Sequence, residues 1–454
     1  MTKFFLDQHG CAKNKVDGEI LIARLEAAGY IRADSPEEAA LMVINTCGFI
    51  EEAKKESLGA LLEARAAYPD AKILLAGCLA QRYAADFSVS LPEADGIFGN
   101  GDLSLVDQAA AATLAGKRPV LTPVPVEELS VEREPVFSFP GSAYVKISEG
   151  CSNRCAFCAI PLIRGPLRNR PIPAILEEIR GLLGRGVFEI NLVGQDLGAS
   201  DLPALLDGIS ALPGDFWLRL LYTHPDHFPL GILPRIRSDH RLLPYFDLPF
   251  QSGSDPILHA MNRLGTAGDN VRLVEQIRCA LAGGRPPAFR TTFLCGFPGE
   301  TDGDAEATVG FLRAIRPHWS GCFTYSREEG TPAAKIRGQV PKKTAQNRVR
   351  RLGEVQGQIT GDVLAGYIGC RETVLVEEVF SAADVGGADS SGGGSYAIGR
   401  AWFQAPEVDG AVILRYDEDD KASREAMVSG ARVSARITGV SGVDLPAVYI
   451  GAAG

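Results

Sequence analysis

The chain has 454 residues, of which 46% are hydrophobic and 22% are charged. This length predicts about three domains, each able to bury its own core, and the composition is that of a globular protein. The formal net charge of −10 disfavours unassisted binding to nucleic acid, which usually needs a basic face. The same charge is compatible with a basic protein as partner.

Apolar runs in this sequence are too short to span a bilayer, and the first residues do not have the pattern of a signal peptide. We therefore expect a cytoplasmic protein. The chain contains ten cysteines, and in a reducing compartment clustered cysteines bind metal more often than they form disulfides. The cysteines are therefore the first candidates for function.

The first part of the chain alternates between short strands and helices. Such alternation predicts a parallel sheet covered by helices, and we expect an open α/β domain over residues 1–118. The apolar patterns predict strands at 3–6, 41–44 and 72–76 and helices at 16–28 and 51–67.

One cysteine follows each of these three strands, next to a glycine in each case: Cys11, Cys47 and Cys78. We call them the strand-end cysteines. In an open parallel sheet, ligands collect beyond the carboxyl ends of the strands, so we expect the three side chains to converge and to form a metal site. Taken singly, each could instead be an ordinary small buried residue.

A proline-rich stretch between residues 116 and 140 interrupts the alternation and predicts a linker, which we place at 119–137. Six strand–helix units follow and predict a partial TIM-type (βα)6 barrel over residues 138–369, whose active groups gather at the C-terminal ends of the strands. The predicted barrel strands are 144–147, 189–193, 217–221, 245–248, 290–294 and 321–323.

Three more cysteines stand in one short loop after the first barrel strand: Cys151, Cys155 and Cys158. We call them the loop cysteines. Iron–sulfur clusters are held by cysteine thiolates, usually four, so three thiolates bind three irons and leave the fourth iron open to a small molecule. Zinc sites more often combine CxxC pairs or histidines, and the next histidine, His224, is far along the chain. The spacing favours a [4Fe-4S] cluster over zinc.

The last part of the chain follows a charged, helix-like stretch at 342–358 and changes to β-type runs. Five short strands predict a small antiparallel barrel over residues 370–454, with a long hairpin loop at 386–394. The predicted strands are 373–376, 396–401, 411–414, 431–437 and 447–450.

Residues 371–454 are acidic, with 13 Asp and Glu against 7 Lys and Arg. A barrel that follows nucleic-acid phosphates should be basic, because phosphate contacts dominate affinity. An acidic barrel attracts a basic protein surface instead. The alternative is that the acidic run at 417–420 is only a solvated loop.

The remaining four cysteines occur in apolar or helical contexts, and we interpret them as core residues. One of them, Cys295, lies at a predicted strand end on the side of the active groups. The other three are Cys279, Cys322 and Cys370.

Together the two cysteine sets resemble those of the methylthiotransferases in the radical S-adenosylmethionine superfamily, and the resemblance covers essentially the whole chain. Phe157, just before the last loop cysteine, also matches the superfamily signature. The resemblance implies S-adenosylmethionine and two [4Fe-4S] clusters as cofactors. The loop cysteines then hold the cluster that cleaves S-adenosylmethionine to a 5′-deoxyadenosyl radical, and the strand-end cysteines hold an auxiliary cluster that presents sulfur. The acidic barrel corresponds to a TRAM domain.

The methylthiotransferases have two branches. One modifies an adenosine beside the tRNA anticodon, and the other modifies the β-carbon of an aspartate in small-subunit ribosomal protein S-twelve. Gly18 and residues 251–255 depart from the ribosomal-protein pattern, and residues 251–255 look more like the tRNA branch. Four stretches resemble the ribosomal-protein branch: 10–17, 49–54, 220–225 and 405–410. Motifs and charge together favour the ribosomal protein or the small ribosomal subunit as partner, and tRNA is the alternative.

S-adenosylmethionine needs polar groups at the barrel mouth. We predict contacts from Gly194 and Gln195, which follow the second barrel strand, and from Thr292, Gly296 and Glu300 around a later strand end. A glycine lets the backbone approach the methionine carboxylate or amine. Both stretches also form turns, so a purely structural role is the alternative. The sequence identifies no catalytic residue beyond the cluster ligands and leaves open whether there are others.

Three further residues near the candidate site have two interpretations. Arg164 and Arg168 follow the cysteine loop and either pair with a carboxylate or are solvated. For His224 we favour a structural role over a proton relay. A radical enzyme also needs an electron donor, for which we expect a flavodoxin or a ferredoxin.

Two other classes of function compete with this interpretation. A non-catalytic electron carrier usually saturates its irons, whereas both cysteine sets here lack a fourth ligand. A zinc-binding module would contain zinc and would lack the brown colour of an iron–sulfur protein, so metal analysis and colour under anaerobic conditions distinguish it from an iron–sulfur enzyme.

Overall fold

The structure is a computed structural model that describes residues 1–126, 132–380 and 395–453. An N-terminal parallel sheet is followed by an open six-stranded barrel and by a closed five-stranded barrel. The predicted fold class is thereby confirmed. The predicted hairpin loop at 386–394 lies outside the described residues, as do residues 127–131 of the predicted linker.

The N-terminal sheet has six strands in the order β2-β1-β3-β4-β5-β6, and every neighbouring pair is parallel. Its central strands are buried on both faces, which their continuous apolar runs predict. The strands are β1 (Lys3–Gln8), β2 (Ile31–Arg32), β3 (Leu41–Thr46), β4 (Lys72–Gly77), β5 (Gly96–Phe98) and β6 (Val120–Leu121). The helices are α1 (Ala12–Ala27), α2 (Glu51–Ala67), α3 (Cys78–Ser90) and α4 (Val106–Leu114).

This domain differs from the prediction at its short elements. Strands β2, β5 and β6 are absent from the prediction, because two or three residues carry too little apolar pattern. Strand β6 lies inside the predicted linker and pairs with β5, with Leu121 opposite Phe98, so the linker prediction is wrong at its start. Helix α1 begins at Ala12, four residues earlier than predicted, and Cys11 is the residue that precedes its first turn.

The second sheet is an open barrel with all neighbouring pairs parallel and with β7 and β14 at its edges. Each predicted barrel strand overlaps one of these strands. The strands are β7 (Ser142–Lys146), β10 (Glu189–Val193), β11 (Trp217–Leu220), β12 (Leu242–Asp247), β13 (Ala288–Cys295) and β14 (Trp319–Thr324). A short ribbon, β8 (Ser148–Glu149) with β9 (Arg168–Asn169), flanks the cysteine loop.

Helices cover the outside of this barrel. The longest of those described, α12, has 24 residues, and no helix in the described ranges combines the length and apolarity needed to cross a bilayer. The helices are α5 (Ile160–Arg164), α6 (Ile172–Gly184), α7 (Leu202–Ser210), α8 (Leu233–Ser238), α9 (Asp255–Ala260), α10 (Ala267–Ala280), α11 (Asp302–Ile315) and α12 (Lys342–Ala365).

The C-terminal barrel closes in the order β15-β16-β17-β19-β18. Four neighbouring pairs are antiparallel, but β17 and β19 run parallel, so the antiparallel prediction is wrong for that pair. A ring of five strands cannot alternate in direction throughout. The elements are β15 (Arg371–Phe380), β16 (Ser395–Arg400), β17 (Val412–Tyr416), α13 (Lys421–Ala426), β18 (Arg432–Ile437) and β19 (Leu445–Ala452).

A fully buried carboxylate joins the two barrels. Glu189 on β10 pairs with Arg219 on β11 at 2.8 Å and with Arg400 on β16 at 2.6 Å. Burial by itself would raise the pKa of Glu189, but the charges of Arg400 and Arg219 outweigh it and hold that pKa well below its usual range. These ion pairs fix the position of the closed barrel, because separating a buried charge from its partners is strongly destabilising.

His318 precedes Trp319, whose indole N–H donates to the Phe403 carbonyl of the closed barrel at 2.7 Å. The protonation of His318 is tied to its own hydrogen bonds. The backbone N–H of Phe289 donates to Nδ1 at 3.3 Å, which leaves Nε2–H to donate to the Tyr367 hydroxyl at 3.1 Å. Burial, together with the charge of Arg278, lowers the pKa of His318 to about 4. The ring is therefore neutral at neutral pH.

We expect the stability contributed by neutral His318 to be complete above pH 6.5 and to be lost as the pH falls toward 4, because the unfolded chain takes up the proton more readily. The loss amounts to about 3 kcal/mol. Nuclear magnetic resonance of ¹³C-labelled histidine in the apoprotein checks this. The signal of His318 is the one that disappears in His318→Asn. Its chemical shift should stay that of a neutral imidazole from pH 7 to 5, and a titration near pH 6.5 would contradict the prediction.

Candidate active site

The strand-end cysteines meet beyond the carboxyl edge of the N-terminal sheet. Cys11 precedes α1, Cys47 follows β3, and Cys78 is the first residue of α3. Gly10 has a φ of +91°, and a Cβ at this position would lie 2.9 Å from the Cβ of Cys47. The missing side chain therefore allows the Cys11 and Cys47 loops to approach. Burial, followed by the neighbouring thiolates of Cys78 and Cys11, raises the pKa of Cys47 to about 12.

Hydrogen-bond donors and cations surround these sulfurs. Arg164 Nη2 lies 3.1 Å and Asn100 Nδ2 lies 3.3 Å from the Cys78 Sγ atom. The surrounding protein desolvates the Cys11 thiol, but the charges of Lys13 and Arg164 outweigh this and lower its pKa. A site that places cations beside the Cys11 thiolate and donates hydrogen bonds to the Cys78 sulfur suits a metal cluster.

The loop cysteines lie between β8 and α5 in a tightly held turn. Gly150 has a φ of +67°, and a Cβ at this position would lie 2.1 Å from the carbonyl oxygen of Pro166. The N–H of Cys151 donates to the Gly165 carbonyl at 3.1 Å, and the N–H of Cys158 donates to the Cys155 carbonyl at 3.1 Å. Burial raises the pKa of the Cys158 thiol to about 12, and the neighbouring Cys155 and Cys151 thiolates add to this shift, so the three thiols lie near one another.

Both cysteine sets fit a four-iron cluster. In the described part of the chain, no three His, Cys, Asp or Glu side chains converge as a single metal ion requires. Thiolates of a four-iron cluster each bind a different iron and stand farther apart than the roughly 3.8 Å between two sulfurs on one zinc. The close glycine backbone of each set and the N–H donors at Cys78 are what a cluster with sulfur atoms at its surface needs.

The two cysteine sets are neighbours in space. Cys78 packs against Ala159 and Ile163, and Ala159 directly follows the loop cysteine Cys158. Arg164, which contacts Cys78, is the last residue of the helix that begins two residues after Cys158. Groups held by the two sets therefore face the same region between the first two domains.

A group of buried charges, which we call the interdomain charge network, holds this arrangement: Asp17, Lys146, Glu149 and Arg164. Arg164 binds Asp17 at 2.7 Å and Glu149 at 2.9 Å, and Lys146 pairs with the same two carboxylates. Burial opposes ionisation of Glu149, but Lys146 and Arg164 lower its pKa to about 2. The network ties α1 of the N-terminal domain to β7 and α5 of the barrel.

The two arginines after the cysteine loop thus differ. Arg164 is only 4% exposed and pairs with carboxylates, so the solvation alternative is wrong for it. Arg168 is half-buried and donates to the backbone carbonyls of Val126, Arg164 and Pro166. No carboxylate of the described residues pairs with it.

The predicted cofactor residues after β10 lie against the cysteine loop region. A Cβ on Gly194 would lie 2.6 Å from the Ser148 hydroxyl oxygen, and Gln195 is half-buried. The next residue, Asp196, accepts from the Asn153 amide of the cysteine loop at 2.8 Å and from the His224 N–H at 3.1 Å. Sequence reasoning missed this link, although an acid at a strand end was a signal for it.

The predicted residues around β13 separate into two groups. Thr292 lies in the strand, and its carbonyl accepts from the Gln251 N–H at 2.8 Å. The Glu300 carboxylate binds Arg348 at 2.7 Å and accepts from the Gly296 N–H. Glu300 thus braces the turn after β13 against α12, while Phe297 in the same turn belongs to the apolar cluster that contains Ala156 of the cysteine loop.

His224 lies at the loop cysteines. Its Nε2 atom is 3.7 Å from the Cys155 Sγ atom and also contacts Arg263, and its Nδ1 accepts from the Asp226 N–H at 3.2 Å. Burial, with the charge of Arg263, lowers the pKa of His224 to about 3, so the ring is neutral. Sequence reasoning missed Arg263, because a lone arginine after a helix has no pattern to identify it.

Comparisons with known proteins agree with this architecture. Residues 3–99 match an uncharacterized protein family (UPF0004), residues 145–312 match the radical SAM superfamily, and residues 368–450 match the TRAM domain. Among solved structures, the radical S-adenosylmethionine methyltransferase TsrM from Kitasatospora setae superimposes with a TM-score of 0.56 at 17% identity, over 73% of this chain and 77% of that one. The fold and the cysteine loop are those of the radical SAM class.

Two relatives identify the family within the radical SAM class. The ribosomal protein uS12 methylthiotransferase RimO of Treponema denticola is 47% identical over 98% of this chain and 100% of its own length. The protein of the same name from Desulforudis audaxviator is 38% identical over 96% of this chain and 95% of its own. The chain belongs to the family of ribosomal protein uS12 methylthiotransferases.

Arg164→Met should destabilise the protein by about 3–5 kcal/mol, because it leaves the carboxylates of Asp17 and Glu149 with one cation instead of two in a buried site. Arg168→Met is the matched control and should cost about 1 kcal/mol or less, since its carbonyl acceptors reach water. Urea denaturation followed by circular dichroism measures both. Equal midpoints for the two variants would show that the interdomain charge network does not stabilise the domain interface.

Proposed function

We propose that this protein replaces a hydrogen on the β-carbon of an aspartate in ribosomal protein uS12 with a methylthio group. It would use S-adenosylmethionine and two [4Fe-4S] clusters. The full-length similarity to uS12 methylthiotransferases carries this proposal. The adjacency of two three-cysteine sets supports the chemistry, because sulfur insertion needs a radical source and a sulfur carrier close together. Modification of a tRNA adenosine by the same chemistry is not favoured.

In this proposal the loop cysteines hold one cluster and the strand-end cysteines hold the other. When bound, the clusters and S-adenosylmethionine supply the one-electron chemistry, the sulfur and the methyl group, which no amino-acid side chain supplies. The protein positions these groups and keeps water away. Each cysteine set has no fourth cysteine, which leaves one coordination position of each cluster for a non-protein ligand.

In this proposal, other residues of the chain fix the position of the cysteine loop and set the charge around the cysteine sulfurs. Arg164 and Asn100 donate hydrogen bonds to Cys78, which lowers the electron density on a ligand sulfur. Asp196 holds Asn153 and so fixes the cysteine loop against β10. His224 stays neutral and fills the space beside Cys155.

For S-adenosylmethionine we keep Gly194, Gln195, Thr292 and Gly296 as the proposed contacts. Glu300 would act indirectly, because its carboxylate is taken by Arg348 and by the Gly296 N–H. For the domains we keep the bounds 138–369 and 370–454, and we extend the first domain beyond 118 to include Leu121 of β6.

We infer that the acidic C-terminal barrel meets the basic surface of a ribosomal protein. Proteins that bind RNA phosphates carry Lys and Arg, and Asp417, Asp419 and Asp420 are exposed here. Direct binding of nucleic acid would be weak, the electron donor would be a flavodoxin or a ferredoxin, and the site of action would be the cytoplasm.

Reconstituted protein, S-adenosylmethionine, a reductant and purified uS12 should give a product heavier by one methylthio group in place of one hydrogen, on an aspartate. Mass spectrometry reads the product, with undermodified tRNA in parallel. Cys155→Ala should abolish S-adenosylmethionine cleavage, whereas Cys78→Ala should retain cleavage and lose the methylthio product. Cys279→Ala, at an exposed cysteine outside both sets, is the control. Product on tRNA alone would overturn the substrate, and two intact clusters in Cys78→Ala would overturn the ligand assignment.

Replacement of Asp417 and Asp419 by Asn should slow association with uS12 about 3- to 10-fold at low salt, because exposed charges act mainly on encounter rates. Asn can still accept the turn hydrogen bond that Asp417 accepts from the Asp419 N–H. Stopped-flow binding at two salt concentrations measures the effect. The matched control replaces the exposed Asp34 and Asp70 of the N-terminal domain by Asn, and an equal effect there would assign the result to net charge alone.

A further inference from the structure

Lys13 is a buried cation in the site that forms no ion pair with a carboxylate of the described residues, and the opposite charge that acts on it most strongly is the Cys11 thiolate. It lies in the first turn of α1, two residues after Cys11, and its side chain is 7% exposed. Its ammonium lies 3.6 Å from the centroid of the Tyr222 ring. Within the described ranges it takes part in no hydrogen bond and in no ion pair. A buried ammonium without an anion in direct contact is costly, so a carboxylate from outside the chain that contacts it would relieve that cost.

Two other buried cations of this region, Lys146 and Arg164, are paired with carboxylates, whereas Arg263 contacts His224 and the Pro249 carbonyl. Lys146 pairs with Asp17 and Glu149, and Arg164 binds the same two carboxylates as well as Cys78. These groups therefore belong to the interdomain charge network and have little capacity for a ligand. Lys13 has three ammonium protons, and none of them is donated to an acceptor among the described residues, which leaves its donors available.

Lys13 also stands where a substrate must lie. It belongs to the turn that follows the strand-end cysteine Cys11. Its partner Tyr222 is two residues before His224, whose Nε2 is 3.7 Å from the loop cysteine Cys155. The contact between Lys13 and Tyr222 therefore connects the two cysteine sets across the region that they face.

The aromatic partner of Lys13 is held in an uncommon conformation. Tyr222 has a φ of +67°, in the left-handed region that favours glycine, and such strain persists only where surrounding contacts impose it. The Tyr222 N–H donates to the Asp247 carboxylate at 3.2 Å, and its carbonyl accepts from the Leu197 N–H at 3.0 Å. The ring is thus a fixed platform for the Lys13 ammonium.

We propose that Lys13, supported by the Tyr222 ring, is a carboxylate-binding site that takes the side chain of the aspartate to be modified. This inference rests on the proposed function. The β-carbon of an aspartate is bonded to its carboxyl group, so a salt bridge at Lys13 fixes the reacting carbon between the two cysteine sets. A neutral side chain at the target position leaves the ammonium unpaired, so the site selects for a carboxylate.

The methionine carboxylate of S-adenosylmethionine is the other source of the same chemistry, and the test separates the two. Purified uS12 and an otherwise identical uS12 with asparagine at the target position are titrated into reconstituted protein by fluorescence anisotropy under anaerobic conditions. Binding of S-adenosylmethionine, iron content and 5′-deoxyadenosine formation are measured in parallel. The variants are Lys13→Met, Lys13→Arg and the control Lys55→Met, which removes an exposed lysine of α2.

The original protein and Lys55→Met should bind the aspartate form on the order of 100-fold more tightly than the asparagine form, because a buried charge pair is lost in the latter. In Lys13→Met this ratio should fall to about 1, while iron content and S-adenosylmethionine affinity stay unchanged, since an apolar residue replaces an unpaired charge. Lys13→Arg should restore part of the ratio, because it keeps the charge with a different geometry.

Three results would overturn the inference. An unchanged ratio in Lys13→Met shows that another group binds the carboxylate, and a selective loss of S-adenosylmethionine affinity assigns Lys13 to the cofactor. A loss of half the iron assigns Lys13 to the auxiliary cluster. If the original protein neither binds nor modifies uS12, the proposed function itself fails. If it modifies uS12 but the binding ratio is the same with and without Lys13, only the inference about Lys13 fails.

Discussion

The active-site architecture depends on the buried ion pairs of Arg164. This residue comes from the helix after the loop cysteines, yet its guanidinium contacts Asp17 of α1 and Cys78 of α3. Two carboxylates and two cations compensate each other in the interdomain charge network, so the charges tolerate burial only while all four remain in place. This requirement gives the N-terminal sheet one position on the barrel and brings the two cysteine sets together.

A second compensated group plays the same part at the other end of the barrel. Glu189 receives Arg219 from the next strand and Arg400 from the closed barrel. Arg400 also pairs with Glu377 of β15. Because these charges are buried, the C-terminal barrel cannot rotate or slide without separating them. The acidic exposed loop at 417–420 is therefore presented in a defined direction relative to the cysteine sets.

The space between the cysteine sets combines rigid walls with a buried lysine that has no carboxylate partner among the described residues. Glycine backbones at Gly10 and Gly150 allow close approach of chain segments that a Cβ would separate. Neutral His224 and the Tyr222 ring line the side of the barrel. Lys13 faces Tyr222 from the side of the N-terminal domain. A site of this kind is complete only when the domains are docked, so substrate recognition and domain assembly depend on the same contacts.

The sequence by itself determined the alternation of strands and helices and indicated the loop cysteines as candidate cluster ligands, because local spacing carries both apolar periodicity and the reach of three thiolates. It also indicated the strand-end cysteines, since parallel strands end at one edge of a sheet. Only the tertiary structure decided that Arg164 is buried and bridges both sets, that Asp196 and Arg263 belong to the site, and that Glu300 turns toward Arg348. Those contacts join residues up to about 150 positions apart, and burial and charge pairing at such separations have no local pattern. The parallel pair of β17 and β19 was decided in the same way, by the closure of a five-stranded ring.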